Sequence, residues 1–277
     1  MGFFQDILST LSKGEQNVAK EFELIGNCFG FYGVDGGVGT STLAWETALL
    51  ASAQGLKTCL IDCSPISSFA FSKVMGQLED TNDIPCIAKR FIKRTCPIAE
   101  TMIPFNETLR VLSFGDMELS GTFNMEYNIL LDTYSEAKRI FDLVIMDIQN
   151  RPSYESTIAA LKSCSTVYTI CAPSPETVIK KARLDNLMAI AGLENCLQNI
   201  VFGGVPSNVP VANALGKHLS GRVIGSYPYV PDFKRANITE NSVLGACRGQ
   251  EVRSYSKFID FIMSEVLEGI SGKESAE

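Results

Sequence analysis

The chain has 277 residues, 45% of them hydrophobic and 20% charged, with a formal net charge of −7. That balance excludes a disordered chain and leaves room for one sizeable α/β core. The acidic excess disfavours a general nucleic-acid binder, which needs clustered Lys and Arg to neutralise phosphates.

The opening stretch, MGFFQDILSTLSKGEQ, lacks the basic start and small-residue cleavage site of a signal peptide. It sets Phe4, Ile7, Leu8 and Leu11 along one helical face. With only Lys13 nearby, packing on this domain or on a partner is favoured, and peripheral membrane contact through this helix stays open. Residues 1–25 thus read as a short amphipathic extension, 26–270 as a single domain and 271–277 as a polar tail.

Within that domain the expected strands are Cys28–Val34, Thr58–Asp62, Arg110–Ser113, Leu143–Asp147, Val167–Cys171, Ile200–Phe202 and Val223–Ser226. Near-continuous apolar runs of this kind suit parallel strands covered on both faces. Helical patterns fill the intervals: Ser41–Gln54, Phe69–Gln77, Ile84–Arg94, Met125–Arg139, Tyr154–Lys162, Pro175–Ala191 and Val211–Leu219. A last helix carries Val252, Tyr255, Ile259, Ile262 and Val266 at steps of three and four. The alternation predicts an α/β fold with a doubly wound, mainly parallel sheet and helices on both faces.

The nine cysteines are scattered and show no CxxC pair. Cys59 and Cys63 share a strand face, and the set reads as core thiols in a reducing compartment. His218 reads as a surface residue. No apolar stretch reaches the roughly 20 residues of a membrane helix, and the expected address is cytoplasmic.

Residues 33–42, GVDGGVGTST, follow the first strand and open the first domain helix. Gly36, Gly37 and Gly39 would allow a sharp turn whose backbone N–H groups face an anion, aided by the helix N-terminus. The stretch has no lysine. Two later strands, in TCLIDCSP and FDLVIMDIQN, end on Asp62 and Asp147, where ligand sites of parallel sheets form and where an Asp can hold a magnesium-bound water.

These segments resemble the ParA/MinD family of deviant Walker-type P-loop ATPases over most of residues 28–250. The family loop reads roughly KGGVGKST. Its lysine that crosses a dimer to the partner's ATP aligns with Asp35, and its phosphate lysine aligns with Thr40. The magnesium-binding hydroxyl aligns with Ser41, followed by Thr42. The family's LLIDLDPQ corresponds to CLIDCSPIS, which keeps Asp62 but has Ser64 where the water-positioning Asp stands. Asp147 matches the Walker B Asp, followed by IQN rather than TPP or CPP. The segment IGSYPYVPDFKRANITENSVLGA matches the adenine-pocket region and implicates Tyr229, Val230, Pro231 and Asp232. Gly203 or Gly204 falls where the family often has an adenine-reading Asn.

The resemblance implies ATP and Mg²⁺ as cofactors. Phosphates would lie on Gly36, Gly37, Val38, Gly39, Thr40, Ser41 and Thr42, with Ser41, Asp62 and Asp147 around the metal, the two Asp residues through water. It implies a homodimer and a positioning or scaffold role with impaired or absent hydrolysis. The loop decay is similar to the TadZ/CpaE group, whose partners belong to pilus and secretion machinery and whose place is the cell pole or membrane surface. Lys89, Arg90, Lys93 and Arg94 are candidate replacement cations, weighed against a solvated helix face. The alternative is an active partitioning ATPase on plasmid or chromosomal DNA, for which Lys180, Lys181, Arg183, Lys234 and Arg235 are the basic candidates. A reductase relative would need bridging cysteines, with Cys96 and Cys164 the ones to propose.

Overall fold

The computed structural model describes residues 26–64, 69–74, 86–87, 89–90, 93, 95–114, 126–151, 155–206, 211–234, 236 and 242–271. The expected N-terminal helix, most of the expected 84–94 helix with Arg94, and the stretch beyond Ser271 expected as a polar tail lie outside these residues. So does Arg235.

Eight strands form one sheet: β1 (Cys28–Gly33), β2 (Thr58–Asp62), β3 (Met102–Pro104), β4 (Leu109–Leu112), β5 (Leu143–Ile148), β6 (Thr166–Cys171), β7 (Asn199–Val205) and β8 (Arg222–Pro228). Their order is β3-β4-β2-β5-β1-β6-β7-β8. Every pairing is parallel except the short edge strand β3, which runs antiparallel to β4. The helices are α1 (Thr40–Ala53), α2 (Phe69–Val74), α3 (Tyr127–Ile140), α4 (Glu155–Ser163), α5 (Pro175–Ile190), α6 (Val211–Gly216), α7 (Val243–Ala246) and α8 (Gln250–Ser271). A 3₁₀ turn, Ile98–Thr101, leads into β3.

Alternation along the central strand divides the core. Phe29 and Phe31 of β1 join one cluster, with α1 and α8, whereas Cys28 and Tyr32 join the other, with α3, α4 and α5. Cys59 and Cys63 fall together in the second cluster, as their spacing predicts. α1 is wedged between the sheet and α8, so nine of its fourteen residues are buried, Trp45 among them. On α8 the whole predicted stripe of Val252, Tyr255, Ile259, Ile262 and Val266 is buried. Full burial of such a side chain contributes about 1.5–3 kcal/mol.

This topology sets the site. β1 lies between β5 and β6, and the chain leaves its carboxyl end where the connections diverge to the two halves of the sheet, the usual ligand crevice of open α/β sheets.

Candidate phosphate-binding site

The turn after β1 enters α1 through Gly37 at φ 76° and Gly39 at φ 89°. Both angles lie in the left-handed region that other residues avoid. Gly36 departs from expectation: its φ is not positive, and a Cβ there would meet nothing within 4 Å. The tight-turn requirement therefore rests on two glycines of the three.

No side chain caps the N-terminus of α1, and its first turn carries no acidic residue. By contrast, α5 and α7 are capped by Ser174 and Ser242. An anion on the α1 turn would satisfy the same donors.

The two positions that lack lysine are occupied in different ways. Asp35 turns toward α5. Its carboxylate accepts from Lys180 Nζ at 2.6 Å, from the Thr177 hydroxyl, and from the Ala172 N–H at 3.3 Å. Burial pushes this carboxyl up, but those donors outweigh it and hold it below its ordinary value. Thr40 folds back over Gly33, where a Cβ would sit 2.6 Å from its Oγ1, and that hydroxyl oxygen is buried without a hydrogen-bond partner.

Asp62 and Asp147 stand opposite each other in the β2–β5 register. Asp62 accepts from the N–H groups of Ser64 at 3.1 Å and Ala70 at 3.0 Å, anchoring the start of α2. Asp147 is pushed up to about 8 by burial and by the Asp62 charge, opposed by a hydrogen bond with the Ser41 hydroxyl. Two carboxyls this close resist ionising together, and a divalent cation would relieve both. Ser41 and Asp147 therefore fit a magnesium ion held partly through water, one that would neutralise phosphate charge. Among the described residues no group of three or more His, Cys, Asp or Glu converges as a stand-alone metal site.

A cavity of about 810 Å³ joins these groups. Its wall contains Gly36, Gly37, Val38, Gly39, Thr40, Ser41 and Thr42, both strand-end Asp residues with Ser64, Gln149 and Asn150, and Tyr229 and Val230 across the opening. Pro231 and Asp232 are exposed and do not line it. Gly204 does; Gly203 instead sits under Tyr227, whose hydroxyl a Cβ would meet at 2.5 Å. That hydroxyl donates to Val38 O at 2.6 Å and pins the glycine turn to β8.

The cations are distributed differently from the sequence reading. Arg90 pairs with Glu136 at 2.6 Å, and Lys89, Arg90 and Lys93 do not line the cavity. Lys181 is not on a solvated face: its side chain is 0% exposed and pairs with Asp185 at 2.6 Å. Among the described lining residues Lys234 is the only Lys or Arg. Sequence reasoning passed over Tyr227 and the side chains of Gln149 and Asn150. The IQN that follows Asp147 was the signal for the last two. Cys96 and Cys164 are free thiols, and burial pushes both above the ordinary cysteine range.

A strand, a glycine turn, a helix start with no side-chain cap and a pair of strand-end carboxyls meet at the carboxyl edge of a doubly wound sheet. The architecture is that of the ParA/MinD P-loop NTPases. The chain is similar to a ParA family ATPase from Chlorobium tepidum TLS, with 16% identity, TM-score 0.70, and coverage of 86% of this chain and 98% of that one. It is similar to the septum site-determining protein MinD from Pyrococcus horikoshii OT3 complexed with Mg-ADP, with 11% identity, TM-score 0.68, and coverage of 85% and 95%. A putative plasmid partition protein from Borrelia burgdorferi B31 bound to AMPPNP gives 16% identity, TM-score 0.66, and coverage of 89% and 99%. Neither a protein-family model nor a curated protein sequence matches the chain.

Proposed function

We propose that this protein binds ATP with Mg²⁺ and works as a positioning or scaffold protein whose hydrolysis is impaired or absent. One observation carries the reading. A single cavity joins the glycine turn, the Ser41–Asp147 pair and the Tyr229–Val230 edge, while the two lysine positions of the resemblance hold Asp35, whose carboxylate is tied to Lys180, and Thr40, so neither brings a cation. Binding needs donors along the phosphates, and main-chain amides with one cation supply them. Phosphoryl transfer needs more, because charge must be neutralised and the nucleophile oriented in the transition state. Losing one preorganised donor typically costs about 3 kcal/mol, at least a hundredfold in rate. A cation supplied in trans is worth about 10³–10⁵. Ser64, where the resemblance has an Asp, is a weaker water-orienting group.

On this reading the chain forms a homodimer whose assembly is loosely coupled to turnover, and it holds protein partners. Loop decay of the TadZ/CpaE kind supports machinery of a pilus or secretion system, recruited to a pole or membrane surface. The alternative of an active DNA-partitioning ATPase is weakened by the basic run on α5, since Lys181 is buried and Lys180 is engaged by Asp35. Calorimetry with ATP and Mg²⁺, paired with a phosphate-release assay, tests the proposal. Saturable binding is expected, with release at least a hundredfold slower than in an ATPase carrying both loop lysines. Turnover at an ordinary rate would contradict it.

A further inference from the structure

We propose that Cys28, Cys164 and Met146 form a binding site for a soft monovalent metal ion, copper(I). The site is independent of the nucleotide reading, since none of the three residues lines the glycine-turn cavity.

Three sulfurs meet over the first residues of β1. Cys164, just before β6, supplies the middle one: its Sγ lies 4.0 Å from the Cys28 Sγ of β1 and 3.7 Å from the Met146 Sδ of β5. Gly30 makes the room. A Cβ there would sit 2.8 Å from the Cys164 Sγ, so the sulfur packs directly on the strand backbone. Metal–sulfur bonds of about 2.3 Å hold two sulfurs about 3.8 Å apart at a tetrahedral angle and about 4.0 Å apart at a trigonal one. Both contacts of Cys164 match those spacings, so an ion enters with little rearrangement. Cys28 is buried, and half-buried Cys164 gives the way in.

The donor set names the ion. Two thiolates and a thioether are soft ligands, which favour copper(I). Zinc takes four ligands in a structural site, and among the described residues no third Cys, His, Asp or Glu joins this pair.

Charge points the same way. Lys138 is buried, its Nζ donates to the Ser163 carbonyl at 3.3 Å, and among the described residues no carboxylate pairs with it. A buried ammonium without a counter-charge is costly. Copper(I) on two thiolates carries one negative charge, and Lys138 stands close enough to Cys164 to balance it. Burial is the larger influence on the Cys164 thiol and keeps it protonated, with the Lys138 charge pulling the other way. Each thiol therefore gives its proton to solvent as the ion binds.

The test is anaerobic titration of the reduced full chain with copper(I) held by a chromogenic chelator, bicinchoninate, which reports each ion removed. Wild type should take up one tightly held ion per chain. Cys28→Ser and Cys164→Ser should each bind at least about a hundredfold more weakly, beyond the roughly ten- to hundredfold typical of losing an outer-shell partner. Met146→Leu should weaken uptake about tenfold, and Cys196→Ser, a thiol outside this group, should leave it unchanged. Thermal melts confirm that the variants fold. X-ray absorption of the wild-type complex, which needs no variant, should show only sulfur around the copper, at about 2.3 Å. Wild type that takes no copper from the chelator, copper retained in full by both serine variants, or nitrogen or oxygen neighbours in the absorption spectrum overturns the site. Zinc bound as tightly as copper(I) by the same two cysteines overturns its assignment to a monovalent ion.

Discussion

Glu46 shows how one side chain ties the glycine-turn helix to the far end of the chain. It lies in the middle of α1, is 2% exposed, and accepts from Ser242 Oγ at 2.8 Å and the Val243 N–H at 2.6 Å. It therefore caps α7 from a distance of almost two hundred residues. Burial pushes its carboxyl above its ordinary value of 4.5, against the pull of those hydrogen bonds. The folded chain thus holds the Glu46 proton more tightly than the unfolded chain. Its contribution to stability is fullest below about 4.5 and falls as pH rises through the raised folded value. The amide introduced by Glu46→Gln cannot titrate, so the melting temperature of that variant relative to wild type should climb across that window. A difference that stays flat with pH would show that Glu46 is not perturbed as described.

At the scale of elements, the junction between the glycine turn and α5 is built from Asp35. Lys180 is 52% exposed, so its ion pair with Asp35 is screened by solvent. Removing it in Lys180→Met should cost little, because a screened surface pair contributes little to stability. Asp35→Ala strips the acceptor from Thr177 and from the Ala172 N–H as well, and should cost about 1–3 kcal/mol. Urea unfolding of the two variants measures the ranking, and a larger loss for Lys180→Met would contradict it. Because the Asp35 carboxyl is held below its ordinary value of 3.8, its stabilisation is present above that pH and lost as pH falls through the lower folded value. On the opposite face, α8 is fixed by its apolar stripe. Ile259 is 0% exposed, and Ile259→Ala should cost about 2–5 kcal/mol in the same unfolding measurement. A loss below about 1 kcal/mol would mean that α8 is not packed as described.

For the whole molecule, what the sequence discloses depends on how locally each feature is encoded. The α8 stripe and the buried parallel strands were legible because period and burial are written in consecutive residues. The glycine turn was legible in the same way, as strand, glycines and helix follow one another within the sequence. Strand β3 was missed because it is three residues long, ends in Pro104 and takes its pairing from β4. Lys181 was misread because a charged residue on a helix gives no sign that Asp185 and the Ser220 carbonyl will bury it. Tyr227 and Val38 meet across 189 positions, and Ser64 and Gln149 across 85, so only the sheet order brings them together.

That order sets the glycine turn on one side of the cavity and a neutral amide–hydroxyl pair on the other, with Asp35 and Thr40 at the lysine positions of the resemblance. The account holds that ATP enters and stays intact. The most direct measurement is to mix the protein with stoichiometric ATP and Mg²⁺, incubate, isolate the complex, denature it and identify the released nucleotide. The account predicts ATP, still uncleaved after hours. Recovery of ADP within minutes would contradict the loss of hydrolysis, and recovery of no nucleotide would contradict the cradle itself.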